Sequence, residues 1–239
     1  MKRILALPAL LTALGCARAD LVIQQRIEGA GQNGTVTTLR LKGSKLRVDI
    51  ASRAGPVSSV MDMDTGDSMT LMHGQKLVTR MSSAQTKETI EGLKKKAGKF
   101  PEPGQGRPEA TGRREKVGEF NTEVFTWKGT DGVQTMWVTK DLPNYAKVKA
   151  QFDQLSKSAT ADLQRGIAPD TTTLPGVVVK TELERAGQKF TSTVLSVKEE
   201  ELNPALFEAP ADYRDTVKRG KPDALPAPAG SPAKPAPAK

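Results

Sequence analysis

Cysteine and histidine are almost missing from this chain: its 239 residues hold one of each, Cys16 and His73. That excludes a zinc site of Cys and His ligands, an iron–sulfur site, a redox pair of cysteines and a disulfide framework. Aromatic residues are scarce as well, at 4%. A core must therefore rest on aliphatic side chains and methionine. Past the leader, no stretch approaches the roughly 20 apolar residues of a membrane helix, so no transmembrane segment is expected in the mature chain. The groupings that carry acid, base and nucleophile are also lacking. Neither an enzyme nor a cofactor is expected.

What charge there is tells little about partners. The net formal charge is +9, but three bases lie in the leader (Lys2, Arg3, Arg18) and five after Asp215. Residues 20–214 are left with 28 bases against 25 acids. A nucleic-acid binder concentrates its charge on the folded domain, so nucleic acid is not an expected partner. The run Lys94-Lys95-Lys96 spreads around a helix end instead of forming a phosphate site.

Residues 1–19 read as a signal peptide. Lys2 and Arg3 precede an apolar run from Ile4 to Leu14, and Ala17-Arg18-Ala19 offers a small-x-small cleavage site before Asp20. A competing reading takes Ala13-Leu14-Gly15-Cys16 as a lipobox, with Cys16 as the lipid attachment residue. A strand starts directly at Asp20, which would leave such an anchor almost no tether, so ordinary cleavage is preferred. Either way the protein is expected to be exported, to the periplasm in the first case and to a lipid-anchored envelope position in the second. At the other end, residues 215–239 interleave Pro with Ala and Lys and read as a disordered tail.

Between these ends, residues 20–214 read as one domain. Alternation of period two dominates. Six strands are expected in a row up to Met81, with turns at Lys42-Gly43-Ser44, Asp64-Thr65-Gly66-Asp67 and His73-Gly74. A helix follows over Ser82–Ala97, opened by a capping box of Ser82 and Gln85. After a Pro/Gly-rich loop, strands resume at Glu115–Val117, Thr122–Trp127 and Val133–Thr139. Tyr145, Val148, Phe152, Leu155, Ala159 and Leu163 recur at steps of three and four and predict a second helix. A hairpin over Val177–Arg185 and Phe190–Val197 and a short end piece around Leu202, Leu206 and Phe207 close the fold. The class is α+β, mainly β. About ten antiparallel strands are expected, with the two helices as the elements available to cover one sheet face.

Most chemical motifs reduce to local structure. Asp64-Thr65-Gly66 has no second copy, as an aspartic-protease dyad requires. The spacing of Asp62, Asp64 and Asp67 does not make a calcium loop. His73 reads as an exposed turn residue without a nucleophile or orienting partner. Met61, Met63, Met69, Met72 and Met81 gather in the sheet region as gap-fillers or as an adaptable apolar wall. Trp127, Trp137, Phe152 and Leu155 read as core first and cavity lining second.

Four segments also resemble a family. These are the opening strand Asp20-Leu21-Val22-Ile23; Thr111-Gly112-Arg113-Arg114-Glu115-Lys116-Val117-Gly118; Trp137-Val138-Thr139-Lys140-Asp141-Leu142; and the closing Leu206-Phe207-Glu208-Ala209-Pro210-Ala211-Asp212-Tyr213. Together they resemble an uncharacterised bacterial family of exported proteins that shares the half-barrel of the lipoprotein carriers LolA and LolB and of the sigma-regulator RseB. The resemblance implies a strongly curved sheet whose concave face is covered by helices, enclosing an apolar cleft. The cleft candidates are Met61, Met63, Met69, Trp127, Trp137, Tyr145, Val148, Phe152 and Leu155. The expected function is binding of an apolar ligand, a lipid or a lipidated partner, with the second helix or the loop from Gly98 to Gly112 as a gate. The alternative is a structural or protein-interaction module of the envelope whose core is filled by its own side chains.

Overall fold

The computed structural model describes residues 20–29, 32–52, 55–97, 106–129, 132–156, 169–185 and 187–216. The expected signal peptide, Cys16, residues 98–105 of the expected gate loop and residues 217–239 of the expected tail lie outside the described residues.

Twelve strands form one curved, open sheet. The first half is a meander of β1 (Asp20–Gly29), β2 (Gln32–Lys42), β3 (Lys45–Ser52), β4 (Gly55–Asp62), β5 (Ser68–Met72) and β6 (Leu77–Met81). Helix α1 (Ser83–Ala97) then leaves the sheet. The second half contains β7 (Glu109–Val117), β8 (Phe120–Lys128), β9 (Gly132–Thr139), helix α2 (Tyr145–Ser156), β10 (Val177–Arg185) and β11 (Gln188–Glu200), and a two-residue β12 (Arg214–Asp215) ends it. The strand order is β12-β6-β5-β4-β3-β2-β1-β11-β10-β9-β8-β7. The first and last long strands thus pair with each other, β1 with β11, and this pairing joins the two meanders. All pairings are antiparallel except β12 on β6.

The turns form for local reasons. Asp62 carboxylate accepts the backbone N–H groups of Asp64 (2.9 Å) and Thr65 (3.2 Å), and Gly66 takes φ of 80° to close the loop. The acidic motif is therefore a turn held by its own first carboxylate. The capping box is present too: Ser82 N–H donates to Gln85 Oε1 at 2.9 Å, and Gln85 N–H donates to Ser82 Oγ at 3.2 Å.

The core divides into three apolar clusters by strand alternation. Leu21 and Ile23 enter the largest, whereas Val22 between them faces the second. Met61 and Val60 divide in the same way, and so do Trp137 and its neighbours Met136 and Val138, which belong to the third. The second cluster is capped by the C-terminal segment, whose Leu202 and Phe207 pack on Val22, Val60, Met69, Leu71 and Val78. Buried Asp20 anchors that segment, accepting the Leu202 N–H at 2.9 Å and a bond from Lys42 Nζ at 2.7 Å.

Two expectations need correction. The sheet has twelve strands where about ten are expected: eleven fall on the segments read as strands, and the twelfth, β12, is two residues long and carries no periodic signal. The His73-Gly74 turn is a 3₁₀ turn over His73–Gln75, closed by Lys76 at φ of 51°.

Candidate functional site

Asn144, at φ of 50°, turns the chain into α2, and its carbonyl accepts the N–H groups of Lys147 (2.9 Å) and Val148 (3.2 Å). Tyr145, Val148 and Phe152 then fall on one side of the helix, three and four residues apart. All three pack on the largest cluster, with Val148 fully buried and Tyr145 and Phe152 half-buried. Polar bonds hold the helix at its flanks. Tyr145 hydroxyl donates to the Pro175 carbonyl at 2.9 Å, Asn144 Nδ2 donates to Glu199, and Ser156 Oγ lies 3.0 Å from Thr171 Oγ1.

Beneath α2 the sheet has a seam. Strand β10 pairs with β9 from Val177 onward but joins β11 only from Lys180. Its register against β9 breaks between Val178 and Lys180, and the register of β11 against β1 breaks between Gln24 and Gln25. Val177 and Val179 turn into the largest cluster and Val178 into the third. A cavity of about 170 Å³ lies at this junction, walled by Phe152, Met136, Val177, Val178, Val179 and Val194. Gln25, Gln134, Ser192, Thr181 and the ion pair of Lys149 with Asp153 (2.5 Å) give it a polar rim.

Of the cleft candidates, Met61, Met63, Trp137, Tyr145, Val148 and Phe152 meet in the largest cluster. Met69 lies in the second, against Phe207, and Trp127 in the third, with its indole N–H on the Gly106 carbonyl at 3.3 Å. The Leu155 side chain and Cys16 lie outside the described residues. The valines of the seam were not singled out by sequence reasoning. Their signal was the run Val177-Val178-Val179, which reads as a plain strand until its partners are known.

At the edge of the largest cluster, Lys180 Nζ sits 4.2 Å from the Trp137 ring centre. The Trp137 indole N–H donates to Glu115 Oε2 at 2.7 Å. That bond, together with Arg113, holds the Glu115 carboxyl below the ordinary glutamate value. Burial pushes Glu182 upward, but hydrogen bonds from Lys180 and Lys189 outweigh it and leave this carboxyl lowered as well.

His73 is not the exposed, isolated turn residue read from the sequence. Its Nε2 lies 2.6 Å from Ser58 Oγ and its Nδ1 lies 2.6 Å from the Tyr213 hydroxyl. Ser58 gives its single proton to Asp49 and accepts from Arg47 Nη2 at 2.9 Å. Donor counting therefore places a proton on Nε2, facing Ser58. The arrangement is unlike a hydrolytic triad, in which the carboxylate orients the imidazole. Here the carboxylate binds the serine, and that serine is 1% exposed. The network instead ties the C-terminal segment to β3 and β4. Among the described residues no group of three or more His, Cys, Asp and Glu is placed to hold a metal ion, and no helix is long and apolar enough to cross a membrane.

The family of a domain of unknown function, DUF4412, matches residues 22–213. The chain belongs to this family. No curated protein matches its sequence. Among solved structures, it is similar to an uncharacterised conserved protein from Thermus thermophilus, at 7% identity and a TM-score of 0.50, over 83% of this chain and 90% of that one. That likeness shows the fold. Weaker similarities are to the lipoprotein LppX of Mycobacterium tuberculosis (11% identity, TM-score 0.38, 77% and 88% covered) and to a LolA superfamily protein of Nitrosomonas europaea (12%, 0.27, 80% and 89%). An uncharacterised family with a LolA-like half-barrel is the reading given to the four sequence segments above.

Proposed function

We propose that this protein is an exported, non-enzymatic binding protein of the cell envelope that holds an acyl chain, free or attached to a lipidated partner, between α2 and the sheet. The observation that supports this reading is the seam under α2. A helix held at its flanks by polar bonds covers an apolar cluster, and a cavity already runs along the place where β10 parts from β11. At about 170 Å³ the cavity is smaller than the roughly 300–1,000 Å³ of sites for small molecules. Binding therefore requires α2 to swing outward on its Asn144 end. Each methylene removed from water then contributes about 0.8 kcal/mol, which offsets the contacts α2 gives up.

A titration with a fluorescent fatty acid tests this. Saturable binding at micromolar protein is expected, and Phe152→Asp is expected to abolish it while the far-UV circular dichroism and thermal transition persist, because Phe152 is only half-buried. Absence of saturable binding to the wild type sinks the proposal. The protein is then an interaction module whose core is filled by its own side chains.

A further inference from the structure

We infer that the ligand is an anionic amphiphile, and that its head sits on Lys116 and Lys140 while its chain lies under α2. This rests on the acyl-binding reading above and adds the polar half of the ligand.

The inference starts from a second recess. A groove of about 560 Å³ is walled by β7, β8 and the end of β9, and by Pro175 and Gly176. Gly176 also lines the cavity under α2, so the two spaces adjoin at this residue. Val138 lines the groove, whereas Met136 and Val178 line the cavity. Val138 is paired with Val178, and all three belong to one cluster, with Leu174 packed on them. Apolar residues of the groove and of the cavity thus meet in one cluster, which the buried Leu174 completes. A ligand chain entering from the groove displaces that leucine, so the apolar surface the chain buries must exceed what Leu174 gives up.

The charges in the groove decide the head group. Five charged side chains line it: Arg114, Lys116 and Lys140 against Glu115 and Glu123. Both acids are engaged: Glu123 with Arg114 at 3.3 Å, and Glu115 with the Trp137 indole and with Arg113. The nearby Asp141 carboxylate is taken by the side chain and backbone N–H of Asn121, at 2.8 and 3.2 Å. Lys116 and Lys140 are exposed and, among the described residues, have no ion pair. What remains for a ligand is two cations beside Thr122 and Thr139, next to that apolar cluster. That combination fits a carboxylate or phosphate carrying a hydrocarbon chain and disfavours an uncharged one.

The test compares a fluorescent fatty acid with the methyl ester of the same acid, on the wild type and on the double variant Lys116→Ala/Lys140→Ala. Both substitutions are on the surface, so the fold is retained. The wild type is expected to prefer the acid, and the variant to bind it about tenfold more weakly, the sum of two exposed charge contacts. Ester affinity stays unchanged, and added salt narrows the difference. Competition by lysophosphatidic acid against the same fatty acid then tells a phosphate head from a carboxylate. If the variant binds acid and ester as the wild type does, or loses both equally, the head site is wrong and the cleft stands. If the wild type binds neither probe, the cleft reading fails and takes this inference with it.

Discussion

Trp137 and Glu115 couple an apolar core to a titrating group. The indole is buried, the carboxylate is partly exposed, and the bond between them is 2.7 Å long. Because the folded Glu115 value is lowered, its contribution is fully present above the ordinary glutamate value of 4.5 and fades as pH falls below it through the lowered value. Urea midpoints followed against pH are therefore expected to drop more steeply in that acid range for the wild type than for Glu115→Gln. Equal slopes refute the coupling. At this scale the sequence was only partly legible. Trp137 reads as a core or cleft residue, but nothing in Glu115-Lys116-Val117 points to an indole 22 positions away. The ties of His73 are hidden for the same reason: Ser58 and Tyr213 are remote in sequence and meet it only through the β4–β5 pairing and the C-terminal segment.

Among the elements, α2 and the segment Thr171–Gly176 carry the functional argument. The helix was readable because its apolar side chains recur at helical spacing. The segment was not, since Thr171-Thr172-Thr173-Leu174-Pro175-Gly176 has no period. Its position depends on one close approach. A Cβ on Gly176 would stand 2.5 Å from the Thr139 carbonyl oxygen and 2.8 Å from a Val138 methyl. Gly176→Ala must push the segment off β9, and a loss of about 1–3 kcal/mol in unfolding free energy is expected, as for other overpacked sites. A urea midpoint equal to the wild type's shows that the segment yields without cost and that the wall between groove and cavity is soft.

For the whole molecule, closure depends on its ends. Strand β1 lies between β2 and β11, Asp20 binds the backbone of Leu202, and Phe207 fills the second cluster beside Val22. Phe207→Ala is expected to cost about 3–5 kcal/mol, as for other large buried aromatics. The chain should melt in one transition, because the β1–β11 pairing joins both meanders. Separate melting of the two halves in a calorimetric scan, or a small loss, shows that the halves hold independently. The closing motif Leu206 to Tyr213 was visible in the sequence, but only as the end of the fold. Its work as a clamp on β3 to β6 came with the structure.

Alternation of period two, turn residues and one helical repeat are local properties. They were enough to determine most strands, both helices, the capping box and the acidic turn, because each arises from backbone preferences acting over a few residues. The strand order, the seam at β10, the ties of His73 and the nearness of the lysine groove to the apolar cluster are set by pairings between distant segments. One-residue irregularities interrupt those pairings between Val178 and Lys180 and between Gln24 and Gln25. Such irregularities leave no mark in composition or period, since a bulge is defined only against its partner strand. Only the tertiary structure could decide where this sheet opens.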